Sequence, residues 1–213
     1  MDGHPLRGIA TATDHPRTLH PPVTTQRKTT VMALRPTIFK ACLHISDLDR
    51  HVYADFPLTL ARHPSETDER MMVRLAAFAL HADETLSFGR GLSATDEADL
   101  EQNTLSGEIS LWIAVGQPSE DLLRKACSRA HTVIVYSYGT MNSTALWWQK
   151  IAPKLQRFEH LHVYQIPYEA STALAAMTQS NMDLQCFIEE GQLSISDSRS
   201  HLQIQPIVLK PRR

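Results

Sequence analysis

The chain has 213 residues, 42% of them hydrophobic and 21% charged, and its 21 Lys and Arg against 23 Asp and Glu leave a net charge of −2. That length suits one compact domain, and the balance of charge excludes a polyanion-binding role that rests on bulk positive charge. Cys42, Cys127 and Cys186 are widely spaced and odd in number, which excludes a CxxC zinc site and a disulfide framework and fits a reducing cytoplasm; no apolar run approaches the roughly 20 residues of a membrane span.

Residues 1–31 are rich in Pro, Thr and His with scarcely an apolar cluster, so a disordered extension is expected there. Met32, followed by Ala33 and Leu34, also has the look of a translation start, leaving residues 32–213 as the single domain. Thr37–Ile45 and His51–Leu60 flank the turn-prone Asp47-Leu48-Asp49-Arg50 and predict a hairpin. A helix is expected to follow Pro64, with Ser65 as N-cap and Asp68 three residues on, running to about Ala82. Met71, Leu75, Phe78 and Ala82 share its apolar face, and Glu66, Arg70 and Arg74 are placed to pair on its solvent side.

Leu86–Leu92 predicts a short strand crowded around Gly89 and Gly91, and the acidic stretch Ser93–Ser106 a loop or broken helical turn. The most informative segment comes next. Gly107 to Pro118 and Thr132 to Tyr136 are β-rich runs joined by a short amphipathic helix that Ser119 caps, which predicts a right-handed βαβ unit. Ligands of open α/β sheets gather at the carboxyl ends of such strands, which directs attention to Val115–Pro118. Asn142–Ile151 predicts a helix carrying Trp147 and Trp148, one of them buried and the other exposed. Leu161–Ile166 predicts a strand and Ser171–Gln179 a short helix. The remainder predicts three strands, Met182–Ile188, Leu193–Ile195 and Leu202–Leu209, with Glu190-Gly191 as a turn. The fold class expected is therefore mixed α/β (α+β), with a mixed central sheet flanked by helices.

Four segments carry a family resemblance: Met32-Ala33-Leu34 to Lys40-Ala41; Leu60-Ala61-Arg62-His63-Pro64-Ser65-Glu66-Thr67-Asp68-Glu69-Arg70-Met71-Met72; Leu111-Trp112-Ile113 to Pro118; and Arg124-Lys125-Ala126-Cys127. Together they resemble the bacterial YaeQ family, from Met32 to about Pro211. The resemblance implies a compact variant of the PD-(D/E)xK restriction-endonuclease-like fold, in which carboxylates hold Mg²⁺ and a lysine helps to activate water.

On that resemblance Glu69 stands at the core-helix acid, with helix-dipole complementation or pairing to Arg90 or Lys125 as its alternative roles. Two positions depart from the pattern. Ser110 stands where relatives carry an acid and Ala114 where they carry Glu, and Ala114 can coordinate nothing. Glu108, on the same strand face by period two, is the remaining acid for a metal shared with Glu69. The motif lysine would fall at Gly116, so Gln117 or Lys125 would have to substitute, and Asp96, Glu97 or Asp99 could fill the missing carboxylate.

The expectation is a nuclease-like fold with an incomplete Mg²⁺ site, a pseudoenzyme candidate that associates with nucleic acid or with a protein partner and not with membranes. The alternatives are a Mg²⁺-dependent nuclease using Glu69, Glu108 and Gln117 or Lys125, and a protein-interaction domain with no nucleic-acid role.

Overall fold

Thr67 opens the helix around which the molecule is built. In the computed structural model, which describes residues 35–91 and 96–210, α1 spans Asp68–Leu80, and the Thr67 side chain accepts from the Arg70 amide at 3.1 Å. The cap is therefore Thr67 and not Ser65. Ser65 is spent in a turn, its amide donating to His63 Nδ1 while Glu66 N bonds His63 O. The helix stops at Leu80, where the His81 amide closes on Phe78 and Ala79 carbonyls. The expected extension at residues 1–31 lies outside the described residues.

Two sheets enclose α1. In the first, β1 (Thr37–Asp47) and β2 (Val52–Arg62) form the expected antiparallel hairpin, pairing Thr37 with Arg62 through to Asp47 with Val52. On its other side β1 runs parallel to β8 (Asn181–Glu189), which continues antiparallel through β9 (Gln192–Ser196) to β10 (His201–Ile204). In the second, β3 (Leu86–Phe88), β4 (Leu100–Asn103) and β5 (Ile109–Val115) make an antiparallel meander. Then α2 (Glu120–Cys127) crosses over to β6 (Ala130–Ser137), parallel to β5, and α3 (Met141–Leu155) leads to β7 (Leu161–Gln165), parallel to β6. Last, α4 (Tyr168–Ala176) precedes β8, and β11 (Ile207–Lys210) closes the second sheet antiparallel to β7. The class is mixed α+β as expected, with the sheet structure divided in two.

Every residue from Met71 to Leu80 is buried, because α1 shares one core with both sheets: Leu43, Leu60 and Leu184 from the first, Ile113, Val115 and Ile134 from the second. A helix covered on opposite sides has no solvent face at its middle, so the expected exposed row Glu66, Arg70 and Arg74 is instead enclosed. The second sheet's other surface packs Trp112, Ala114, Val133 and Val135 against Leu123 of α2 and Ile151 and Leu155 of α3. Both Trp147 and Trp148 are half-buried there, and Trp147 Nε1 donates to Pro118 O at 3.0 Å.

Two other expectations change. The stretch Ser93–Ser106 contains β4, whose Glu101, Gln102 and Asn103 carry little hydrophobic signal because the strand is fixed by its ladder to β5. Leu202–Leu209 is broken at Gln205-Pro206, so β10 and β11 lie in different sheets; Pro206 cannot donate to a ladder and marks the break. The Glu190-Gly191 turn is as expected, with φ of 52° and 71°, the pair of left-handed residues that a tight hairpin favours.

Candidate functional site

The βαβ unit places a cavity of about 410 Å³ at the carboxyl end of β5, lined among others by Arg70, Asp99, Ala114, Gln117, Ser119 and Tyr138. Arg70 and Asp99 in its wall belong to a set of ion pairs that extends to Glu66 and Arg74. Arg74 grips Glu66 with two bonds of 2.8 Å, Nε to Oε1 and Nη2 to Oε2. Arg70 donates from Nη1 to Glu66 Oε1 at 2.9 Å and from Nη2 to Asp99 Oδ1 at 2.7 Å. The other oxygen of Asp99 accepts the Val115 amide at 2.7 Å. Two acids and two guanidiniums thus close into a neutral network in which every carboxylate oxygen is bonded, with Arg74 also lying over the Phe88 ring.

Burial shapes the charges. Desolvation pushes the Asp99 carboxyl above its ordinary value, against the opposing pull of Arg70 and the Val115 N–H. Burial works against the Arg70 charge, but Asp99 and Glu66 outweigh it and its pKa is raised. Burial likewise raises the Tyr138 phenol, with Arg70 opposing.

Only part of the sequence-predicted set converges here. Gln117 lines the cavity, its amide donating to Ser143 Oγ at 2.9 Å, and Ala114 lies in the wall. Glu69 is engaged elsewhere: Ser171 Oγ of α4 donates to its Oε1 at 2.6 Å. Glu108 precedes the seven residues of β5, which at about 3.3 Å per residue puts it roughly 20 Å from the strand's carboxyl end. There it is exposed, 3.8 Å from His131, and is not brought to Glu69. Ser110 sits at the register shift between β4 and β5, where its hydroxyl donates to Gln102 O at 2.9 Å. Lys125 is exposed on α2 and faces Asp96 at 3.5 Å, not the cavity.

Gly116, where the lysine of the nuclease motif would fall, has φ of +103°, a conformation that an L side chain adopts only with strain. The local backbone itself therefore disfavours that lysine.

Mg²⁺ requires oxygen ligands free to coordinate. The residues present do not fit one: both oxygens of Asp99 and both of Glu66 are taken by protein donors, Ala114 has none, and Glu69 and Glu108 are apart. Among the described residues no group of three His, Cys, Asp or Glu could hold a metal ion. One HxH pair occurs, His160 and His162, but His160 Nε2 bonds Cys127 O and His162 is buried. Sequence reading missed Glu66 and Arg74 as site residues; their spacing with Arg70 was the signal, and their burial was what it could not supply.

The fold and cavity define a class: a two-sheet α+β protein with an arginine-neutralised acidic cluster at the mouth of its parallel crossover. The model of the family described as YaeQ protein matches residues 32–206, and the chain belongs to that family. It is 42% identical to the uncharacterized protein YaeQ of Salmonella typhi over 174 residues, 82% of this chain and 96% of that one. To the Escherichia coli (strain K12) protein of the same name it is 40% identical over 173 residues, 81% of this chain and 95% of the other. The crystal structure of YaeQ protein from Xanthomonas axonopodis pv. citri matches with a TM-score of 0.79 at 44% identity, covering 82% of this chain and 98% of that chain. That from Pseudomonas syringae matches with 0.79 at 35%, covering 83% and 97%. Among the described residues no helix is long and apolar enough to cross a membrane.

Proposed function

We propose that the protein is a nucleic-acid-associated binding module on a PD-(D/E)xK-like fold whose acidic cluster no longer serves catalysis. One observation carries this reading. Arg70 lies between Glu66 and Asp99, so the charge that a divalent ion would neutralise is neutralised by the protein's own guanidinium. An arginine replaces the electrostatics of a metal but not its chemistry. Its guanidinium stays protonated at any physiological pH, so it cannot generate a bound hydroxide as a metal does. Ala114 and Gly116 support the same reading, since a carboxylate and a lysine are missing where the reaction would need them.

The test is to incubate the protein with labelled single- and double-stranded DNA and RNA in Mg²⁺, Mn²⁺ or EDTA. Salt-dependent binding without cleavage, indifferent to EDTA, is the expected result. Cleavage that EDTA and Asp99→Asn both abolish would establish a metal nuclease instead, and neither binding nor cleavage would leave a protein-interaction domain.

A further inference from the structure

The net charge of −2 conceals an uneven distribution. A groove of about 530 Å³ runs between α2 and the segment that follows α3, lined by Asp121, Arg124, Lys125, Ser128, Arg157 and Phe158. Three cations and the Asp121 carboxylate line it. Arg157 lies over the Phe158 ring, 4.7 Å from its centroid, and has no ion pair among the described residues. Arg124 has only a loose contact, 3.8 Å, with Glu120, and Lys125 an exposed one with Asp96.

Cations in a last helical turn commonly serve the helix's own carbonyl end. Here that duty is already discharged. Lys125 O accepts from Ser128 Oγ at 2.8 Å, Arg124 O from the Ser128 amide, Ala126 O from the Arg129 amide, and Cys127 O bonds His160 Nε2 at 2.9 Å. The side chains of Arg124 and Lys125 are left facing solvent, half and more exposed, beside an unpaired Arg157.

We infer that this groove is the surface on which the protein holds a single nucleic-acid strand, Arg124, Lys125 and Arg157 contacting successive phosphates and Phe158 with the Arg157 plane offering a base a stacking platform. The inference rests on the nucleic-acid reading above and adds the place and the form of the ligand. Cations interleaved with an aromatic ring are what sequence-tolerant single-strand binding requires. Phe158 is packed against the core and carries the Arg157 guanidinium on its ring, so the exposed plane offered to a base is that of Arg157, held in place by the ring beneath it.

The test measures fluorescence anisotropy of a labelled oligothymidylate with the full chain across a salt series. The variants are Arg124→Glu/Arg157→Glu and the milder Arg124→Ala/Arg157→Ala, each checked for an unchanged melting temperature, and Phe158→Ala, which also loses core packing and is measured well below its own melting temperature. Expected is binding by the unmodified protein, weakened at least tenfold by the reversal. Removing each cation should also reduce the slope of log affinity on log salt by about 0.7, the single-strand value per phosphate. Phe158→Ala should weaken binding while leaving that slope unchanged. Binding by the unmodified protein that the reversal leaves intact would overturn the groove and spare the nucleic-acid reading. Absence of binding by the unmodified protein would overturn that reading itself. Displacement of the oligonucleotide by polyglutamate at equal charge concentration would reassign the groove to an acidic peptide.

Discussion

Glu66 and Arg74 meet through two parallel bonds of 2.8 Å, and both side chains are almost entirely withdrawn from water, 1% and 2% exposed. A pair so buried is costly to form and more costly to break, because the survivor keeps its charge without its partner. Glu66→Ala should therefore destabilise the fold by about 3–5 kcal/mol, the usual cost of orphaning a buried ion. The double replacement Glu66→Leu/Arg74→Met should recover part of the loss, although Arg70 still loses one partner. Urea denaturation of the three proteins checks both statements.

Gly89 is fixed by crowding. A Cβ there would lie 2.0 Å from the carbonyl oxygen of Ala98, a backbone atom that cannot swing aside. Gly89→Ala should push β3 off β4 and cost at least about 2 kcal/mol, in the range seen for overpacked sites. The measurement is thermal unfolding together with hydrogen exchange, which should show the loss of protection concentrated at β3 and β4.

His44 stands in the middle of the first sheet's outer surface, with Nδ1 2.7 Å from Asp55 and Nε2 3.2 Å from Asp183. The bond to Asp55 is the main cause of its raised pKa; partial desolvation opposes it, and the two negative charges add to it. A group whose folded pKa exceeds its unfolded one contributes stability that is complete below the unfolded value, 6.5 here, and lost as pH rises through the folded value. Stability should thus fall as pH is raised above about 6.5, and His44→Gln should flatten that part of the profile. Denaturation midpoints at a series of pH values decide it; an unchanged slope in the variant would assign the effect to another group.

The three thiols should divide into one that reacts and two that do not. Burial pushes Cys127 up to about 11 and Cys186 up to about 12, whereas Cys42 is raised but half-exposed on the outer surface of the first sheet. Because the thiolate is the nucleophile, a thiol reagent at pH 8 should modify one cysteine in the native chain and three after denaturation. Peptide mapping should place the native label on Cys42.

The elements with strong local signals were readable from sequence. The Thr37–Arg62 hairpin, the crossover from β5 through α2 to β6, the Ser119 cap and the Glu190-Gly191 turn all depend on patterns within a few residues of one another. What escaped depends on distant parts of the chain. The strand β4 is polar and exists because β5 lies beside it, and the burial of Arg74 follows from a second sheet that no local pattern announces. The candidate site shows the same division. Its location at the end of β5 was legible, and Asp99 stood among the acids that could fill the gap, but the partners of Glu69, Glu108 and Lys125 were matters of three-dimensional placement.

The parallel pairing of β1 with β8 has a consequence in time. Lys40 lies opposite Asn181, so β1 must wait for its second neighbour, the central strand of the first sheet, made roughly 140 residues later, and a closure of that span is slow to form. On the ribosome the N-terminal hairpin therefore emerges with an unpaired edge on β1 and remains open until nearly the whole chain has been translated. The same pairing makes the chain indivisible: truncation anywhere before β8 removes half the support of the first strand, and no fragment ending there can be expected to fold as the N-terminal part of this molecule.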